Sequence, residues 1–191
     1  MVNINNIQNF TEDRPVNGSI FGTATTFNEL PETHKAQILF LNKEASDFLY
    51  SYSSSAHIIT GGVWNPFEKR NFKDVDTFDD FTGSERHEQA LRKWMYKRAI
   101  PFSSWVFLLE DGNNQAMLLT WKMIVKYAPQ LFVMSDMIVF DATVNWCLVY
   151  FHEGKLFFGK HNVYNTDEDD KKMEALNAQK KKYPQFRHPY L

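Results

Sequence analysis

Apolar and polar positions follow one another along this chain in two rhythms, one helical and one extended. Ile38, Leu41, Ala45, Phe48, Leu49 and Tyr52 recur at spacings of three and four behind Pro31, which a first helical turn tolerates, so the pattern predicts an amphipathic helix over 31–52. Ala90, Leu91, Trp94, Met95 and Arg98 predict a second helix ending before Pro101, with Thr82 and Glu85 spaced as a capping box. Met117, Leu118, Trp121, Ile124, Val125 and Ala128 step around one face of a third, stopped by Pro129. A fourth, over 167–182, begins acidic and ends basic, which complements the helix dipole.

Short apolar runs at 105–109 and 137–141 predict buried strands, the first closed by the turn residues Glu110, Asp111, Gly112, Asn113 and Asn114. The stretch DATVNWCLVYFHEGKLFFGK at 141–160 holds two alternating runs around Glu153-Gly154. A two-residue loop there pairs His152 with Lys155, Phe151 with Leu156, Tyr150 with Phe157 and Val149 with Phe158. Strand parity then turns Cys147, Val149 and Phe151 to one face and Trp146, Leu148, Tyr150 and His152 to the other, with Leu156 and Phe158 beside the first set and Phe157 beside the second. A hairpin apolar on both faces has to be covered on both.

Residues 1–28, rich in Asn and Thr, predict irregular structure with one short edge strand around Ser19–Thr25. Residues 53–82, broken by Gly61-Gly62 and Pro66, predict a long loop with a strand near 57–60, and loops of that length tend to be functional. No repeat of fixed period is present. These elements predict a single α+β domain over 1–191: an antiparallel sheet of about four or five strands, mostly from 105–160, packed by about three or four helices, with a C-terminal helix and tail over 167–191.

Composition supports a folded core, since hydrophobic residues make up 43% of the 191 and include 17 Phe and 5 Trp. A net charge of -2 gives no overall pull toward nucleic acid or an anionic membrane. A lone cysteine, no leader-like start and no long apolar run predict a cytoplasmic protein off the membrane.

Candidate chemistry is sparse. Cys147 stands five residues before His152, yet parity points thiol and imidazole to opposite faces, so Cys147 reads as a small core residue before it reads as a nucleophile. The six histidines, His34, His57, His87, His152, His161 and His188, lack metal-binding spacing, and neither a metal nor another cofactor is expected. No phosphate-cradling glycine motif and no nucleophile elbow occurs. Asp74, Asp76, Asp79 and Asp80 cluster without the glycine and final glutamate of a calcium loop. Phe72, Phe78 and Phe81 interleave with them, so that this loop offers charge and aromatic anchors to a basic protein partner, or else tucks its rings into the core. Lys180, Lys181, Lys182 and Arg187 with Tyr183, Phe186 and Tyr190 read as a basic helix end with a docked aromatic terminus before they read as a nucleic-acid contact.

Over residues 105–159, a strand, a helix holding Thr120-Trp121, the pair Leu131-Phe132, and then DMIVFDATVNWCLVYFHEGKLFFG follow in order. This order, under a third of the chain, resembles the C-terminal part of small bacterial α+β domains of the polymorphic-toxin immunity type. The resemblance implies binding without turnover: a non-enzymatic bacterial module that occludes a cognate toxin, with no catalytic residue carried over. A hydrolase or transferase using Asp141, His152, Glu153 and His161 around the hairpin is the alternative from the residues themselves, and a small-ligand or self-association module is a third.

Overall fold

In the computed structural model, residues 1–13, 27–79, 84–110, 115–133, 135–165, 167–185 and 187 are described. Eight strands form one sheet: β1 (Thr11–Glu12), β2 (Ile38–Leu41), β3 (Phe72–Phe78), β4 (Trp105–Glu110), β5 (Ala116–Thr120), β6 (Met137–Phe140), β7 (Trp146–Phe151) and β8 (Lys155–Asn162). Their order is β1-β2-β5-β4-β6-β7-β8-β3, and every neighbouring pair is antiparallel. Among the described residues five α-helices accompany it: α1 (Glu32–Lys35), α2 (Lys43–Ser55), α3 (Glu85–Tyr96), α4 (Trp121–Leu131) and α5 (Asp167–Lys182). The fold is α+β as expected, with more strands and helices than the sequence pattern disclosed.

The central strands are apolar on both sides because both sides are covered. One face sets Val106, Leu108, Leu119, Val139 and Leu148 against Leu91, Trp94 and Met95 of α3 and the inner side of α4. The opposite face sets Phe107, Leu118, Phe140, Cys147 and Val149 against Ala45 and Leu49 of α2, Ile58 and Phe67 of the following segment, and Val2 and Ile7 near the N-terminus. Buried Asn71 fastens that segment, its amide donating to the carbonyls of His57 and Ile58 at 3.1 and 2.8 Å. The expected strand at 57–60 is replaced by this fastened coil.

The predicted helix over 31–52 is three elements. Ile38-Leu39-Phe40-Leu41 is an unbroken apolar run and goes into the sheet as β2, after which Asn42 caps α2 by accepting from the Ala45 N–H at 3.0 Å. Met117 and Leu118 likewise belong to β5, and α4 starts only at Trp121. Pro129 does not stop α4 but breaks it, with Tyr127 at φ -104 and ψ 17, because proline lacks the N–H owed to the preceding turn. The cap of α3 is Ser84, accepting from the His87 N–H at 3.4 Å; Thr82, the strand placed at 19–25 and the turn at 111–114 lie outside the described residues.

The β7–β8 register is shifted by one from the predicted pairing. Phe151 pairs with Lys155, Tyr150 with Leu156, Val149 with Phe157 and Leu148 with Phe158, so the loop is His152-Glu153-Gly154 with Gly154 at φ 84. A one-residue slip reverses the faces of a whole strand. Leu156 and Phe158 therefore pack with Trp146 and Leu148, and Phe157 with Cys147 and Val149. The parity of β7 itself is as predicted. α5 spans 167–182 as expected, and its described side chains are exposed apart from half-buried Leu176. Among the described residues no helix is long and apolar enough to cross a membrane.

Candidate functional site

Phe72–Phe78, expected within a loop, is the last strand of the sheet. Val75 and Thr77 are β-branched, and the charged residues between the two phenylalanines are tolerated because, among the described residues, the strand has a neighbour on one side only. Phe72 opposes Asn162, Asp74 opposes Lys160 and Phe78 opposes Leu156 across β8. Lys73 through Thr77 are all exposed.

The two phenylalanines are anchors for the core and not for a partner. Phe72 is buried, edge-on to Phe67 with ring centroids 4.9 Å apart, and lies over Gly159, where a Cβ would come within 2.5 Å of its ring. Phe78 packs on the opposite layer against Trp94, at 5.8 Å between centroids. Asp76 accepts from Trp94 Nε1 at 3.1 Å and from Arg98 Nη2 at 2.7 Å, while the guanidinium carbon sits 4.3 Å from the Trp94 ring centre and 5.0 Å from that of Phe158. Asp79 pairs with Lys155 Nζ at 3.1 Å, and Asp74 lies 3.6 Å from His161 Nε2. Arg98 and Lys155 thus answer part of the acidic charge that was expected to face a partner. Asp80 and Phe81 lie outside the described residues.

On the other side of the same strand the charge is reversed. A groove of about 690 Å³ runs beside β3, with Phe67, Phe72, Val75, Phe157 and Val163 in its lining and Arg70 and Lys73 among its walls. Both cations are exposed, and neither makes an ion pair or side-chain hydrogen bond with any described residue. A smaller hollow of about 210 Å³ on the acidic side is lined by Asp74, Asp76, Lys97, Arg98 and Lys160, of which Asp76 and Arg98 pair with each other.

The alternative set is not brought together. Asp141 opens the β6–β7 turn, accepting from the Thr143 N–H at 2.9 Å and from Trp146 Nε1 at 2.7 Å. His161 belongs to the same end of the sheet, at φ 61, the extra residue of a bulge: Trp146 pairs with Lys160, yet the Asn162 N–H donates to the Asn145 carbonyl at 3.3 Å. His152 and Glu153 sit at the other end, beyond the six residues of β7, or about 20 Å away. The partner of His152 is Asp136, a residue without a motif of its own, which accepts from the His152 N–H at 2.7 Å and lies 2.9 Å from Nδ1. It could have been found by extending the β6–β7 register one step past Met137–Tyr150, which puts Asp136 beside the hairpin loop.

Cys147 is fully buried against both neighbours in the sheet, and burial pushes its thiol far above the ordinary range. Gly154-Lys155-Leu156-Phe157-Phe158-Gly159-Lys160 has the glycine and lysine spacing of a phosphate-binding loop, but it is strand β8, whose backbone N–H groups serve the sheet and open no helix. Among the described residues no group of three His, Cys, Asp or Glu side chains is placed to hold a metal ion. Compared with known proteins, the chain matches no family model, no curated protein and no solved structure.

Proposed function

We propose that this chain is a bacterial protein-binding module of the immunity type, which neutralises a toxin by covering part of its surface, and that the β3 end of the sheet makes the contact. The observation that carries this reading is the run of exposed residues from Lys73 to Thr77 on a terminal strand, next to a groove of about 690 Å³. Apolar floor, unanswered cations and a strand edge are binding groups, and together they supply burial, charge and backbone hydrogen bonds to one partner. The resemblance of residues 105–159 to immunity domains adds the class of partner. Co-expression with the toxin encoded beside its gene tests the proposal: cells should survive and a complex should co-purify. Cell death at full expression of the folded protein, with no complex, rejects it.

A small ligand is the second reading, favoured by the size of the groove, which falls in the range of small-molecule sites. An amphipathic carboxylate would set its chain on Phe67 and Phe157 and its charge on Arg70 and Lys73. Titration with medium-chain fatty acids, followed by calorimetry, separates this reading from the first.

A further inference from the structure

The exposed edge of β3 and the groove beside it are two parts of one surface. Val75 lines the groove, as do Lys73 and Thr77, so alternate residues of the edge strand form its wall. A segment laid along β3 would therefore meet strand edge and groove at once. Every pairing in this sheet is antiparallel, and a ninth strand continuing that pattern would place successive groove-facing residues opposite Thr77, Val75 and Lys73.

Charge selects the occupant. Arg70 and Lys73 are the two cations of the groove and no described residue answers either, so the segment carries an acidic side chain opposite Lys73. Opposite Val75 and Thr77 it carries apolar side chains, which are received by Phe157 and Phe67. On the other face it would lie beside Asp74 and Asp76, whose carboxylates stay more than half exposed even with Arg98 on Asp76, so its intervening positions are not acidic. A second copy of this chain fits badly. Two β3 strands related by a twofold axis through Val75 set Asp74 against Asp76 of the other copy, and an axis through either aspartate sets that aspartate against itself.

We propose that β3 accepts an extended segment of a partner protein as a ninth, antiparallel strand, reading in its N-to-C direction apolar, any non-acidic residue, apolar, any non-acidic residue, then Asp or Glu. This rests on the protein-binding reading above and adds the form and charge of what is bound. The pattern gives direction as well as composition, because the acidic residue follows the apolar pair only when the added strand runs antiparallel to β3.

The experiment pans a display library of random twelve-residue peptides against the intact protein, and then measures the best sequences as synthetic peptides. Enrichment of the stated pattern is expected. Its affinity should fall about tenfold or more in the Arg70→Glu/Lys73→Glu protein, both positions being exposed, and by a similar factor when alternate peptide nitrogens are methylated to remove backbone pairing. Selection of basic peptides, of the reversed order, or of nothing overturns the proposal, as does equal binding by the methylated peptide. Concentration-dependent dimers in sedimentation that vanish in the double variant also overturn it, by naming a second copy as occupant. Failure of co-expression to protect cells, with the peptide pattern still selected, removes the immunity reading and leaves strand addition standing. Protection retained in full by the double variant does the reverse.

Discussion

Arg98 donates to Asp76 across 2.7 Å while its guanidinium carbon lies over the rings of Trp94 at 4.3 Å and Phe158 at 5.0 Å. This clamp fastens the turn after α3 to the outermost strand, and its two halves are unequally exposed: the Arg98 side chain keeps 9% of its surface, that of Asp76 52%. Removing the carboxylate strands a nearly buried cation, whereas removing the arginine leaves an aspartate that water can solvate. Asp76→Ala should therefore cost about 1–2 kcal/mol, a value kept low by the exposure of the pair, and Arg98→Met, which retains apolar cover over Trp94, should cost less. Urea unfolding of the two variants measures the order directly, and a larger loss in Arg98→Met would refute it.

Gly159 is required by the ring above it. A Cβ there would come within 2.5 Å of Cδ2 and 2.6 Å of Cγ of Phe72 and 3.1 Å of Phe67, and Cγ, at the root of the ring, cannot withdraw unless the whole side chain moves. Gly159→Ala should destabilise by about 1–3 kcal/mol through overpacking. Phe72→Ala should cost about 3–5 kcal/mol as a cavity. The double variant should cost less than the sum, because the new methyl then occupies part of the space the ring has left. Simple additivity in chemical denaturation would show that the ring and the glycine are not in contact.

The same contact marks the boundary of what the sequence made legible. Local rhythm found α3, α5, β4 and β6 and gave the faces of β7 correctly, because each is settled by its own side-chain periodicity. It misread 31–52, where Ile38–Leu41 satisfies a helical spacing as well as a strand and only the open edge of β5 decides between them. It misread β3 as loop because a strand with charges on it has no alternating signature, and its partner β8 lies almost eighty residues on. The candidate site suffered most from this. Asp74 and Asp76 were visible as an acidic cluster, but their contacts were not: His161 lies on β8, whose register was out by one, and Arg98 lies in the turn after α3. The groove beyond Val75 exists only once β3 is placed at the rim.

The thiol of Cys147 should be silent in the native protein. It is wholly buried between strands β6 and β8, and burial holds it protonated far above its ordinary range. Reaction with an aromatic disulfide reagent should be absent on the timescale of a small-molecule thiol and should appear at the unfolding rate. Raising the pH toward about 9 should not accelerate it beyond any change in that unfolding rate. Rapid labelling of protein with native circular dichroism would contradict the packing described here.

His34 gives the fold a pH dependence of known sign. Its Nδ1 lies 2.6 Å from the Tyr127 hydroxyl, and with the proton of the neutral imidazole on Nε2 the ring accepts and the phenol donates. Partial burial first, and then Lys126 and Lys122, hold its pKa below the ordinary 6.5. Burial raises that of Tyr127, so the phenol stays protonated and able to donate. A histidine with a lowered folded pKa takes up its proton more readily unfolded, so its contribution is complete above about 6.5 and is lost as the pH falls through the folded value. His34→Gln keeps an acceptor for Tyr127 but does not titrate. Wild type should therefore lose more stability than the variant between about pH 7.5 and about pH 5.5, measured by urea midpoints in matched salt. Parallel curves for the two proteins would place the pH sensitivity elsewhere, and a steeper curve for the variant would mean that His34 is stabilised in its charged form.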